Sequence, residues 1–537
     1  MPITVTRTDS AGASESMSFT YDGSVTTGVT FSGTVNGSIG LTFDNNFWVT
    51  SESVNGGAIN FTYDNDGRLK SAGDLTITRN GQNGFLTGTA LVNASVAIVD
   101  SYVYSTFGET ASYNAKVGGA AVFDVQYTRD DIGRIVTKTE TVGGTTTVYE
   151  YGYDVAGRLV SVKEDGVVVS TYDYDANGNR ITAVTKTGTY QGFYDLQDRM
   201  TKYGDVSYTY TANGELTSKT GADGTTSYNY DVYGNLRGAT MPDGTSIEYI
   251  IDASDRRIGK KVNGALVQGF IYKDQLEPVA ELDGAGNVVA RFVYASKGHV
   301  PDYMVKGGVT YRVVSDHLGS VRLVVNATDG TIIQRIDYDE FGNITQDTNP
   351  GFQPFAFAGG IYDQHTRLIR FGARDYDAHS GRWTSKDLIL FHGGDMNLYG
   401  YVLGDAINWN DVSGFSRKKG RIKMDDPLTG GLDPNRPDSD LPRVVDKVKE
   451  VCESGECDGK PISPERLKKL KGWLKVAKRS GLKVMGKCMG PFSALIDFFD
   501  ANEAGANSTC PGGGLAHVFL STTRGKELVA KHIEIVL

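Results

Sequence analysis

Tyr153-Asp154-Val155-Ala156-Gly157-Arg158-Leu159 and, twenty-one residues later, Tyr174-Asp175-Ala176-Asn177-Gly178-Asn179-Arg180 are two copies of one template. The template is also present at Tyr63-Asp64-Asn65-Asp66-Gly67-Arg68-Leu69 and at Tyr230-Asp231-Val232-Tyr233-Gly234-Asn235-Leu236. Weaker copies begin at Arg129-Asp130, Tyr194-Asp195, Tyr210-Thr211 and Ile251-Asp252. From 154 onward the Asp positions step by 21, 20, 16, 20 and 21 residues, with Thr211 standing in once. A single Tyr-Asp-x-x-Gly is an ordinary hairpin turn, but recurrence at this spacing marks a repeat array. Each period holds two strands of about six residues and two turns, hence a hairpin per repeat. Tyr-x-Tyr alternation places aromatics on one sheet face. Asp accepts backbone N–H groups across the turn, and Gly three residues on takes the left-handed conformation.

Composition agrees. The 537 residues include 67 Gly and 29 Tyr but only 14 Pro, as expected for many short ladders joined by tight turns. A net charge of −10 excludes a general nucleic-acid coat. That charge is uneven: Ser416 to Leu537 carries 22 basic and 16 acidic residues, a balance of +6, which leaves −16 on the first 415. All four cysteines (Cys452, Cys457, Cys488, Cys510) lie in the same tail. Their separations match no zinc pattern, so disulfides or free thiols are expected there, and no metal or cofactor. The most apolar stretch, Leu482 to Phe499, contains Lys483, Lys487 and Asp497, and no stable membrane span is expected. Met1-Pro2-Ile3-Thr4-Val5 shows no classical signal peptide, so any export would use another route.

The repeats resemble the YD repeats of RHS proteins, teneurin-like proteins and the C subunits of insecticidal toxin complexes. That resemblance implies a mainly β fold: strands wound in a continuous spiral shell without free lateral edges, closed by an RHS repeat-associated core. It is strongest where the repeats end. Ser315-Asp316-His317-Leu318-Gly319-Ser320-Val321-Arg322 and Tyr338-Asp339-Glu340-Phe341-Gly342-Asn343 lead into Phe371-Gly372-Ala373-Arg374-Asp375-Tyr376-Asp377, Gly381-Arg382-Trp383, Asn397-Leu398-Tyr399-Gly400-Tyr401 and Asp411-Val412-Ser413-Gly414-Phe415. The expected organisation is degenerate β repeats over 1–60, YD repeats over 61–350, core over 351–415, linker over 416–445 and a small α+β effector-like domain over 446–537.

In this family the core of several members is an aspartyl autoprotease that cuts just after itself. The resemblance assigns Asp375 and Asp387 as the carboxylate pair, Arg374 as their cation, Asp411 and Gly414 as core motif, and Phe415–Ser416 as the scissile bond. Two carboxylates sharing a proton can supply base and acid together. The family pattern is Asp-Pro-x-Gly, eighteen residues, Asp-Pro-x-Gly. Here the first half reads Asp387-Leu388-Ile389-Leu390 and the second Asp411-Val412-Ser413-Gly414, with a spacer of twenty residues. Both Asp residues survive; both prolines and one glycine do not.

In the tail, Ser463-Pro464-Glu465 starts a lysine-faced helix through Leu467, Leu470, Trp473, Leu474 and Val476. A second helix is expected from beyond Gly481 to about Ala504, with Gly486-x-x-x-Gly490 hinting at close helix packing or membrane insertion. Strands are expected at His517–Leu520 and Ile533–Leu537. No catalytic set stands out in the tail. The resemblance implies a toxin carrier, secreted or at the cell surface. Its own C-terminal domain would be cargo, and an immunity protein and a secretion-system or toxin-complex subunit would be partners. The rival reading is a cell-surface or wall-associated interaction scaffold, or a truncated remnant without catalytic activity.

Overall fold

The computed structural model describes residues 4–9, 12–91 and 95–419, and beyond them the strands Lys483–Met489, Leu495–Ile496, Leu515–Arg524 and Glu527–Val536. Two compact units divide the chain at Met424 and Asp425. In the first, thirty-three strands from Thr4–Thr8 to Ile344–Asp347 form one sheet. Consecutive strands pair antiparallel, as in Ile135–Val142 with Thr145–Tyr153 and Leu159–Glu164 with Val167–Tyr174.

The repeat builds this sheet through one recurring turn. At Asp154, Oδ1 accepts the N–H groups of Ala156 and Arg158, both at 2.9 Å, while Oδ2 takes Arg158 Nε at 2.6 Å. Gly157 closes the cage with φ 86°. The preceding Tyr153 sits at a register shift, and its hydroxyl donates to Ile135 O of the previous repeat at 2.7 Å. Tyr174 and Tyr194 reach back in the same way, to Leu159 O and Arg180 O. Arg134 and Arg158 lie over the rings of Tyr153 and Tyr174, at 4.6 and 4.8 Å. Asp130 and Asp154 thus each fix an arginine on which the next repeat's tyrosine stacks, so these neighbouring hairpins brace one another.

The sheet turns back on itself, and buried ion pairs join its far parts. Arg312 meets Asp100 at 2.5 Å, Arg322 holds Glu140 through two hydrogen bonds at 2.7 and 2.9 Å, and Arg291 meets Glu52 at 2.9 Å. The sheet is open, against the expectation of a winding without free edges. Among the described residues, Thr4–Thr8 pairs only with Ser14–Asp22, and Ile344–Asp347 only with Ile332–Tyr338. Arg7, paired with Asp231 and Asp255, puts a charge on the first of these edges.

The segment after residue 350 docks on the repeats. Its four short strands, from Ile361–Tyr362 to Arg382–Trp383, bring Phe371, Tyr376 and Trp383 into an aromatic cluster with Phe357 and Tyr401 from the flanking turns. Asn408 accepts from Ile135 N–H, Arg382 donates to Asn179, and Tyr249 donates to Asp363, so this segment ties distant repeats together.

In the second unit Leu515–Arg524 pairs with both Glu527–Val536 and Lys483–Met489. The strands expected at His517 and Ile533 lie within this hairpin. A helix from Gly481 to Ala504 does not form as expected, because Lys483–Met489 and Leu495–Ile496 are strands. Seven residues of the former are in register with Leu515–Ser521, and that pairing overrides a weak local helical preference. Gly486 therefore lies in a ladder opposite Val518 rather than on a helix face. The helix expected from Ser463, the linker beyond residue 419 and Cys452, Cys457 and Cys510 fall outside the described residues.

Candidate active site

Successive side chains on a strand point to opposite faces, and the strand Arg374–Asp377 separates its first two residues accordingly. Arg374 turns to one side. Its Nη2 lies 3.0 Å from Asp387 Oδ2 and 3.3 Å from Asp411 Oδ2, and its Nε donates to Gly414 O at 2.5 Å. The guanidinium rests on the Trp383 ring, 4.1 Å from its centroid. One buried cation therefore holds two carboxylates and the backbone between them and Phe415.

Asp387 is set by its own turn. Its N–H donates to Leu398 O at 2.9 Å, and its Oδ1 accepts the Ile389 N–H at 2.9 Å. Without the family's Pro and Gly, the chain reverses through Leu390 at φ 52° and Gly394 at φ 82°. A leucine in the left-handed region is uncommon, and here it does the work of the missing glycine. Asp411 heads a loop between Trp409–Asn410 and Lys418–Lys419, which pair with each other. Its Oδ1 accepts the Phe415 N–H at 3.2 Å and the Ser413 hydroxyl at 3.0 Å. Gly414 is at φ 69°, and a Cβ there would lie 2.5 Å from Phe371 O.

The Phe415–Ser416 bond lies in that loop. A cleft is lined by Arg374, Asp387, Asp411, Phe415 and Ser416 together. The Phe415 carbonyl oxygen and Asp387 Oδ2 converge on Gly393: a Cβ at Gly393 would stand 2.9 Å from the former and 2.6 Å from the latter. Only glycine leaves room for both. Burial raises the Asp387 carboxyl to about 6. The negative charges of Asp411 and Asp395 add to that rise, while Arg374 and the Ile389 N–H oppose it.

Asp375 is elsewhere. It points to the other face of its strand, where Arg257 Nη2 and Arg370 Nη1 reach its Oδ2 at 2.9 and 3.0 Å. The geometry does not give Asp375 and Asp387 a common cation. The carboxylate that shares Arg374 with Asp387 is Asp411. The family resemblance assigned Asp375, and strand alternation, which places it and Arg374 on opposite faces, was the signal to the contrary. Sequence reading also missed the repeat turns at Asp44, Ser105 and Asp283, which have Phe43, Tyr104 and Leu282 before them.

Tyr-Asp hairpins in one continuous sheet, ending in an aromatic core that sews the repeats together, define a YD-shell protein. The Teneurin YD-shell family model matches residues 3–400, and the chain belongs to that family. It is 28% identical over 407 residues to Teneurin-4 of Homo sapiens, covering 71% of this chain and 14% of that protein. With Teneurin-m of Drosophila melanogaster the figures are 27% over 386 residues, 64% and 13%. The chain thus spans about one seventh of the length of the curated relatives it matches. Among solved structures it is similar to TcdB2-TccC3, with a TM-score of 0.59 at 14% identity over 76% of this chain and 24% of that one. The Photorhabdus luminescens Tc holotoxin pore gives the same TM-score and identity, with 76% and 23% covered. A TcdB2-TccC3 structure described as lacking its hypervariable C-terminal region matches at TM-score 0.55 and 15% identity, over 76% and 23%. These likenesses bear on the fold. Among the described residues no helix is long and apolar enough to cross a membrane.

Proposed function

We propose that this YD-shell protein cuts its own chain between Phe415 and Ser416, using Asp387 and Asp411 as the working carboxylates, and thereby frees a C-terminal effector. The observation that carries this reading is Arg374 bound to both carboxylates in the cleft that contains the bond. A carboxylate pair needs one protonated and one ionised member. Asp387, raised by burial, supplies the proton and donates it toward the Phe415 carbonyl oxygen. Asp411 takes a proton from the attacking water, whose hydroxide adds to the Phe415 carbonyl carbon. The tetrahedral intermediate then collapses: the C–N bond breaks as Asp411 passes its proton to the Ser416 nitrogen, and Asp387 takes back the proton it gave to the carbonyl oxygen, leaving a carboxyl group on Phe415. Arg374 balances the negative charge throughout.

In this reading the shell encapsulates or presents that segment as its cargo. Action outside the producing cell, with an immunity protein and a toxin-complex or secretion-system subunit as partners, belongs to the same reading. One observation favours the scaffold reading beside it: the repeat turns expose Phe107, Ile132, Val155, Leu196 and Val232, apolar tips suited to a partner protein.

The test is purification of the full chain beside Asp387→Asn and Asp411→Asn variants, with circular dichroism as the check on folding. Wild type is expected to yield a C-terminal fragment on denaturing gels, and both variants to stay whole. A folded Asp411→Asn variant that still cuts would remove Asp411 from the reaction.

A further inference from the structure

On the face of strand Arg374–Asp377 opposite the cleavage cleft lies a second cavity, lined by Arg256, Arg257, Arg370, Tyr272 and Gln275 among others. Gln275, exposed, marks the side open to water. The charges around it do not balance. Arg256 has its own carboxylate, Asp252, at 2.6 Å. Arg257 and Arg370 share a single one, both bound to Oδ2 of Asp375. Three guanidinium groups thus face two carboxylates.

The hydrogen bonding is incomplete in the same place, with one acceptor, Asp375 Oδ1, unmatched beside three arginine N–H-bearing atoms. Arg370 is only 5% exposed, and neither its Nε nor its Nη2 has a hydrogen-bond partner. Arg257, 8% exposed and lying flat over Tyr249 at 3.7 Å, has an unpartnered Nε. Buried guanidinium groups are normally satisfied, because an uncompensated charge away from water is expensive. In Arg370 the two unmatched atoms are Nε and Nη2, whose hydrogens lie parallel along one edge of the guanidinium. That edge is the fork which grips two oxygens of a carboxylate or a phosphate group at once.

We propose that this cavity binds a small oxyanion, held by the Nε–Nη2 edge of Arg370 with Arg257 beside it. The ligand class is a carboxylate or phosphate group carrying one or two negative charges, which cancels the excess positive charge. The site is separate from the cleavage cleft, since Arg257 and Arg370 bind Asp375, whereas Asp387 and Asp411 are held by Arg374 on the other face of the strand.

The experiment uses the full chain at fixed pH and ionic strength and measures binding by calorimetry, with thermal unfolding in parallel. One arm contains inorganic phosphate, a second acetate, and the reference a bulky zwitterionic buffer. Saturable binding is expected in at least one arm. Binding of phosphate alone assigns the site to phosphate groups, and binding of acetate assigns it to carboxylates. Arg370→Gln is expected to weaken that binding at least tenfold, and Arg370→Lys, which keeps the charge and loses the fork, to restore it only in part. Should Arg370→Gln fail to fold, crystals of the wild type grown with selenate provide the readout, through anomalous density beside Arg370. No saturable binding in either arm, unaltered binding by folded Arg370→Gln, or water alone beside Arg370 would each overturn the proposal.

Discussion

Replacing Asp252 with alanine should damage the shell far more than the same change at Asp154, although both occupy the same place in the repeat. Asp252 is 1% exposed. Its Oδ1 accepts the N–H groups of Ser254 and Arg256 at 2.9 and 3.0 Å, and its Oδ2 pairs with the Arg256 guanidinium at 2.6 Å. Arg256 in turn donates to Asp274 O at 3.0 Å and lies over Tyr272 and Phe31, so one cage ties two repeats to the strand Val25–Ser32. Asp252→Ala leaves that guanidinium buried without its carboxylate, a loss of about 3–5 kcal/mol. The Asp154–Arg158 pair is about one fifth exposed on both sides. Its loss costs about 1–2 kcal/mol, mostly the two backbone N–H acceptors. The double change Asp252→Ala with Arg256→Met removes the stranded charge as well, and should recover at least ~1 kcal/mol over the single change. Urea unfolding followed by circular dichroism and tyrosine fluorescence supplies the comparison. Equal losses at Asp252 and Asp154, or a double variant no better than Asp252→Ala, would refute the argument that burial sets the value of each cage.

Three further outcomes follow from the geometry. Because the Asp387 carboxyl is raised to about 6 from an ordinary value of ~3.9, it carries its proton below that pH. The rate of chain cutting should therefore rise as pH falls through about 6, and the group's stabilising effect on the fold should be lost as pH rises through the same value. Cutting rates read from gels between pH 5 and 8 check this, and a flat profile would count against Asp387 as the proton donor. Gly414→Ala places a Cβ 2.5 Å from Phe371 O at φ 69°, so it should displace the loop carrying Phe415 and stop cutting. It should leave the β signal of the repeats intact. Tyr153→Phe removes a hydroxyl that donates to Ile135 O and accepts from Asn408 Nδ2, and should cost about 1 kcal/mol in urea unfolding without affecting cutting.

The repeat was legible in sequence because its chemistry is local. Asp154 and Gly157 make their bonds within one turn, and Arg158 and Tyr153 reach the repeats on either side. Degenerate copies escaped notice where a different residue fills a role: Ser105 replaces the aspartate, Leu282 replaces the tyrosine, and Phe47 takes a positive φ in place of glycine. At the candidate site the residue set was legible but the partnership was not. Arg374, Asp387, Asp411, Gly414 and Phe415 stand together, whereas Asp375 lies on the other face of its strand with Arg257 and Arg370. That separation depends on which face of a three-dimensional strand each side chain takes. The open sheet edge and the Arg257–Arg370 cavity depend on contacts across more than a hundred residues, and no periodicity records them. The strand Lys483–Met489 was hidden for a similar reason, since its partner lies at Leu515–Ser521.

The most direct test of the central claim is the intact mass of the purified full chain, set beside the N-terminal sequence of any smaller product. Cleavage by the Asp387–Asp411 pair predicts two species, one ending at Phe415 and one beginning Ser416-Arg417-Lys418. A single species with the mass of all 537 residues, after incubation at pH 5 to 6, would contradict it.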